Sequence, residues 1–193
     1  MKKVLLAGLM ILVLVGSAFG AATISIKEVN GASSGTPTTV TAVRLCTTDS
    51  YNPTTSYPLV KPASSYNYSY WKQFYLNADT SPTGTINNIK WYADGTIGWT
   101  GVVLYAGVCT NYVQATGTQG ATGNEAHASH SDTPTMTDAS TYTPSAPLSV
   151  TGSISNPSTG KISQYVIIQG RISTSAVSGT LGTETITWKY DET

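Results

Sequence analysis

From Ala22 onward, apolar and polar residues alternate in short runs divided by Gly, Pro, Asn, Asp and Ser, the pattern of β-strands with one buried face. Ala22–Val29 (ATISIKEV) sets Ile24 and Ile26 on one side, and Thr38–Thr47 (TTVTAVRLCT) alternates Val and Leu with polar residues. Tyr68–Ala78 (YSYWKQFYLNA) is long and aromatic. Ile86–Gly95 places Ile89 and Trp91 on one face and ends on Asp94-Gly95, a turn signal. Gly101–Cys109 (GVVLYAGVC) is almost wholly apolar, as expected of a central strand, and Gln164–Ser173 and Thr183–Glu192 close the series. In the last run Ile186, Trp188 and Tyr190 share one face, with Thr187 and Lys189 on the other. Repeated short strands without helical periodicity predict an all-β fold, an antiparallel Ig-like or jelly-roll-like β-sandwich.

Two regions fall outside this rhythm. The first is the start: Lys2 and Lys3, an apolar run from Val4 to Gly16, then Ala18 and Gly20 at small-residue positions. This is the layout of a secretory signal peptide over residues 1–20, cut after Gly20, and the apolar run is short for a membrane span. The expectation is a secreted, extracellular or cell-surface protein without membrane association once the leader is gone. A sandwich domain would occupy residues 21–193, a length that suits one core. The second region, Gln114–Pro147, is rich in Gly, Thr, Ser and Pro with little aliphatic periodicity. A loop of that length is unusual inside a compact domain, so it is either a functional surface loop or the hiding place of irregular edge strands.

Composition narrows the partners. Only 10% of residues are charged and the formal net charge is zero. Nucleic-acid binding draws on clustered Lys and Arg, which this chain lacks, and attraction to anionic lipid fails for the same reason. Low charge with many Thr suits the packing of many copies without mutual repulsion.

The candidate chemistry is sparse. Cys46 and Cys109 are the only cysteines. In an exported protein they most simply form one disulfide, closing about 64 residues and stabilising the fold by ~4 kcal/mol on the chain-entropy model. Two buried free thiols are the alternative. The only histidines, His127 and His130, lie in GNEAHASHSD with Glu125 and Asp132 beside them. Imidazole with carboxylate could hold a structural divalent metal, the one cofactor the sequence offers; otherwise the stretch is a solvated polar loop. No nucleophile or second base accompanies the histidines, so no enzyme activity is expected. Gly31–Gly35 (GASSG) matches the nucleophile-elbow pattern around Ser33, but Pro37 and a β-branched run follow where an elbow needs a helix, so a connector is the better reading. Twelve Tyr and four Trp against two Phe either fill the core or form stacking platforms for a glycan or a protein partner. Asn67-Tyr68-Ser69 is the one acceptor triplet for N-glycosylation with a permitted middle residue.

With the KWYADG and TITWKYDE strands, the chain resembles secreted Ig-like β-sandwich proteins of prokaryotic, archaeal-type cell surfaces over most of residues 38–192. The Cys and Trp spacing of true immunoglobulin domains is missing, so the likeness is one of architecture. The short strand just after the leader, followed by NGASSGTPTT, is similar to pilin-like subunits whose N-terminal strand completes a neighbour's sheet. That resemblance implies a donor strand within residues 21–30, anchored by Ile24 and Ile26, and self-association into a filament or surface layer. The alternatives are that the strand pairs within its own domain, and that the protein is a monomeric adhesin-like module binding a glycan or a surface protein.

Overall fold

In the computed structural model, which describes residues 21–32, 34–51, 56–116, 132, 135–179 and 181–193, the alternating runs become strands of two antiparallel sheets. The larger sheet holds β1 (Ile24–Asn30), β2 (Thr36–Thr39), β3 (Tyr66–Tyr68), β4 (Lys72–Ala78), β6 (Val102–Cys109), β7 (Thr137–Asp138), β10 (Gly160–Lys161) and β11 (Tyr165–Ser173). Its order is β2-β1-β4-β11-β6-β7, with β3 also on β11 and β10 also on β4. The smaller sheet is β12 (Ile186–Glu192), β5 (Thr85–Ala93) and β8 (Leu148–Ser149) in that order, with β9 (Ile154–Ser155) also on β5. One core lies between them. Phe74, Leu104, Val166 and Ile168 face it from the first sheet, and Ile86, Ile89 and Trp91 from the second. The expected all-β sandwich is therefore the observed architecture.

Parity explains most of the packing and marks where it breaks. Ile24 and Ile26 pack against the core, as do Ile186, Trp188 and Tyr190. In β5, however, Ile86 and Ile89 are three apart and both buried, which simple alternation forbids. Asn88 between them has φ +50°, and the β12 register slips between Lys189 and Asp191. This is a β-bulge: one extra residue turns the strand so that both isoleucines face inward.

Two expected strands differ from the structure. Of Thr38–Thr47 only the start is strand, within β2; beyond Val40, whose N–H bonds the Ile26 carbonyl, the chain runs irregularly along the sandwich. Tyr68–Ala78 divides into β3 and β4, because Ser69 bonds Gly170 while Tyr70 turns to Cys46. Among its described residues, the Gln114–Pro147 stretch contains an irregular edge strand, β7, followed by a 3-10 turn at Ala139–Thr141. Its polar centre, with Glu125, His127 and His130, lies outside the described residues, as does the expected leader over residues 1–20.

Candidate functional site

The N-terminal strand is the natural place to begin. β1 lies between β2 and β4, in register from Ile24 opposite Ala78 to Val29 opposite Gln73 of the same chain. Its outer end is tied by side chains: the Ser25 hydroxyl donates to Asp79 at 3.0 Å, and Lys27 reaches both Asp79 at 3.5 Å and the Thr39 hydroxyl at 2.7 Å. The hydrogen bonds from Ser25 and Asn77 hold the Asp79 carboxyl below its usual range, with Lys27 helping. The turn into β2 is GASSG. Gly35 has φ +69°, and a Cβ there would fall 2.3 Å from Val29 Cγ1 and 2.7 Å from the Tyr112 ring, so this corner accepts glycine. The tyrosine in turn donates its hydroxyl to the Gly31 carbonyl at 2.5 Å. A strand follows Gly35 and no helix, so the segment is a hairpin turn and no nucleophile elbow; Ser33 itself lies outside the described residues.

The inward face of β1 is not wholly apolar. After Ile24 and Ile26 it carries Glu28, and β4 sets Lys72 beside it. Both side chains are 1% exposed and Lys72 Nζ stands 2.6 Å from Glu28 Oε1. Lys72 also donates to the Ser50 carbonyl at 3.0 Å, while Glu28 Oε2 is buried without a hydrogen-bond partner. Burial raises the Glu28 carboxyl above its ordinary value, opposed by Lys72 and by the side chain of Asn30. Asn30 and Gly31 both donate to Asp49, which arrives from the irregular stretch after β2. A paired charge in an interior is a weak source of stability, since desolvation offsets most of the attraction. Removing one partner costs more than the pair contributes. These residues were not singled out from the sequence. The signal was present: in a chain this poor in charge, strand parity puts Glu28 in line with Ile26, and Lys72 in line with Phe74.

Next to this seam the sandwich is incomplete. The smaller sheet ends at β12, so the inner face of the larger sheet continues past its edge. An open groove of about 1230 Å³ results, with Ile26, Phe74, Leu104 and Ile168 on one wall and Ile186 and Trp188 on the other. The irregular segments around residues 40–46, 176–179 and 181–185 border it.

The expected disulfide is absent: Cys46 and Cys109 are both free and buried. The reason is sidedness. Cys109 accepts a hydrogen bond from Gln73 at 3.1 Å and packs with Trp71 and Ile167, whereas Cys46 lines the inner groove with Phe74 and Ile168, on the Lys72 face. Gln73 and Lys72 are neighbours on β4 and point to opposite faces of the sheet, so the thiols are on opposite sides too. Burial pushes Cys109 up to about 12 and raises Cys46 as well.

Of the four expected metal ligands, only Asp132 is among the described residues. Its carboxylate accepts from the Thr110 and Asn111 amides at 2.6 and 2.8 Å and from the Asn111 side chain at 2.7 Å, closing the turn after β6. No cluster of three His, Cys, Asp or Glu side chains suited to a metal occurs among the described residues. The triplet asparagine Asn67 is buried at 2% exposure and donates to the Val60 carbonyl, which makes it a poor glycan acceptor.

The aromatic side chains mostly pack. Trp71 and Trp91 are buried, and Trp99 and Trp188 are partly buried against the core. On the outer face of the larger sheet, Tyr75 and Tyr165 meet edge to face at 5.6 Å with the Lys161 ammonium 3.5 Å above the Tyr165 ring. Arg171 lies over Tyr66 and Tyr105 in the same manner. These rings hold cations from their own chain. A third device was invisible from sequence: Gln73, fully buried, donates to the Asn111 carbonyl at 2.8 Å and accepts from the Val113 amide at 2.9 Å, fastening the chain after β6 over Trp71 and Cys109.

Comparison with protein-family models, with curated proteins and with solved structures finds no match for the chain.

Proposed function

We propose that this chain is a secreted structural subunit of an extracellular filament or cell-surface layer, joined to its neighbours by β-strand complementation. The observation that carries the reading is how the β1–β2 hairpin is attached. Its strands pair with the rest of the sandwich along one ladder, β1 on β4, and a connector with no strand among its described residues leads on to β3. That connector of about 26 residues could extend to roughly 85 Å, far beyond the width of one domain. A hairpin delivered by a neighbour would make the same ladder bonds and bury the same Ile24 and Ile26 side chains, so exchange keeps the β1–β4 ladder. Passed head to tail, such an exchange does not close, and it propagates. The expected leader and the scarcity of charge support the same reading.

The test is to add excess synthetic peptide spanning residues 21–30 while the chain refolds. Peptide that occupies the β4 edge caps growth, so assemblies become shorter in proportion to peptide added. Assembly unaffected by peptide, or no assembly at all, removes the reading. The groove beside β12 favours a second one: a monomeric module gripping an extended, partly apolar ligand between its sheets, near Trp188. In that case the chain stays monomeric, and ligand binding changes tryptophan fluorescence.

A further inference from the structure

We propose that Lys72 and Asn30 become joined by an amide bond that the chain makes itself: Lys72 Nζ attacks the side-chain carbonyl carbon of Asn30, Glu28 relays the proton, and ammonia leaves.

Placement comes first. The register that sets Glu28 opposite Phe74 and Val29 opposite Gln73 runs on to Asn30, the last residue of β1, and Lys72, the first of β4. Residues opposite one another in an antiparallel pair have Cβ atoms about 5 Å apart, and Glu28 and Asn30, two residues apart, share one face. The three side chains therefore converge. Lys72 Nζ is 2.6 Å from Glu28 Oε1, and the Asn30 side chain acts on that same carboxyl. Two atoms in the cluster, Glu28 Oε2 and Asn30 Oδ1, are buried with no hydrogen-bond partner. For an ordinary fold that arrangement is costly. For an acyl transfer it leaves an acid–base oxygen unused and a carbonyl oxygen free to gain charge.

The chemistry balances without any other reactant. An ammonium cannot attack, so its proton must first go to a base. In water the carboxylate is a poor acceptor from a lysine, but in an interior the charged pair is penalised relative to the neutral one, and the transfer to Glu28 becomes accessible. The freed lone pair forms the bond from Lys72 Nζ to the Asn30 carbon, and negative charge collects on Oδ1, where protonated Glu28 can donate to it. The attacking nitrogen passes its second proton to Nδ2, the carbon–Nδ2 bond breaks, and the departing ammonia takes the first proton from Glu28 as ammonium. Glu28 ends as it began. Phe74, opposite Glu28 in the register and itself buried, helps exclude the water that would compete.

The bond stands apart from the proposed exchange of β1, since it forms within one chain as readily. Where a neighbour supplies β1, the same three residues weld two subunits together.

The test is the intact mass of the full chain purified from its host and denatured, compared with the sequence from its measured N-terminus. The expected value is lower by one ammonia, with a branched peptide linking Lys72 to Asn30 in a protease digest. Lys72→Arg and Glu28→Gln should restore the full mass. Asn30→Asp should form the same bond with loss of one water instead. A natural chain that is folded by tryptophan fluorescence yet has its full mass overturns the proposal; loss of one water from the natural chain makes an acid such as Asp49 the acceptor and overturns the assignment to Asn30. Detergent gels separate this from the exchange. A mass deficit without covalent ladders keeps the bond and counts against exchange. Filaments of full-mass chains keep exchange and overturn the bond.

Discussion

Gln73→Met asks whether the segment after β6 is held by the hydrogen bonds described. Methionine nearly matches glutamine in volume and is apolar, so the change costs less than about 1.5 kcal/mol in packing. It removes both good bonds of the buried amide, to the Asn111 carbonyl and from the Val113 amide, and the weaker one to Cys109. A buried group left without a partner costs about 1–3 kcal/mol, and here two backbone groups are left so. The Trp71 indole still donates to the Val113 carbonyl at 2.9 Å, which keeps the segment from detaching altogether. A loss of about 3 kcal/mol is expected, and at this size a fall in Tm of roughly 6–12 °C. Urea unfolding followed by tryptophan fluorescence measures it. A second readout is local: Cys109, whose thiol is pushed up to about 12 by burial, should begin to react with an aromatic disulfide reagent at pH 8 as its cover loosens. A variant within about 0.5 kcal/mol of the parent with Cys109 still silent would show that Gln73 is not the fastening.

Other consequences can be checked with the same protein. Both thiols should be unreactive in the folded chain and titrate as two equivalents in denaturant, with no reductant needed; a single disulfide and no free thiol would contradict the placement of Cys46 and Cys109 on opposite faces. Asp79 carries a lowered carboxyl in the folded chain, so its contribution is present above its ordinary value of 3.8 and is lost as pH falls through the folded value. Asp79→Asn should flatten stability in that acid window and leave it sloped elsewhere, as urea midpoints taken across pH will show. Asn88 holds the β5 bulge at φ +50°; Asn88→Gly should be nearly neutral, while Asn88→Val should cost about 1–2 kcal/mol in urea unfolding, and equal stabilities would remove the bulge from the account. Ile24→Asp with Ile26→Asp should abolish assembly, since each places a carboxylate against the core at the seam.

Much of the fold is legible in the chain because alternation is a direct image of a half-buried strand. Ile24 and Ile26, the Gly101–Cys109 run and the Ile186–Trp188–Tyr190 face all occupy the places their spacing implies. The failures have particular causes. Val40 and Val43 are three apart, so the Thr38–Thr47 run could not keep one face, and the structure leaves it irregular beyond β2. Strands as short as β7 to β10 are too brief for any period to register. The bulge at Asn88 needed a partner strand to reveal it. The disulfide expectation failed because two cysteines show no sidedness until the neighbours of each are known. Of the buried cluster, Glu28 and Lys72 were readable from parity alone; Asn30 needed the β1–β4 register, and Asp49, delivered by an irregular segment, left no trace in any pattern.

The central claim is that β1 joins one subunit to the next, and negative-stain electron microscopy of the chain, beside the Ile24→Asp, Ile26→Asp variant, tests it most directly. The account predicts filaments or regular layers from the natural chain and dispersed single particles from the variant. Single compact particles from both would mean that β1 stays on its own β4, and the filament reading would be wrong.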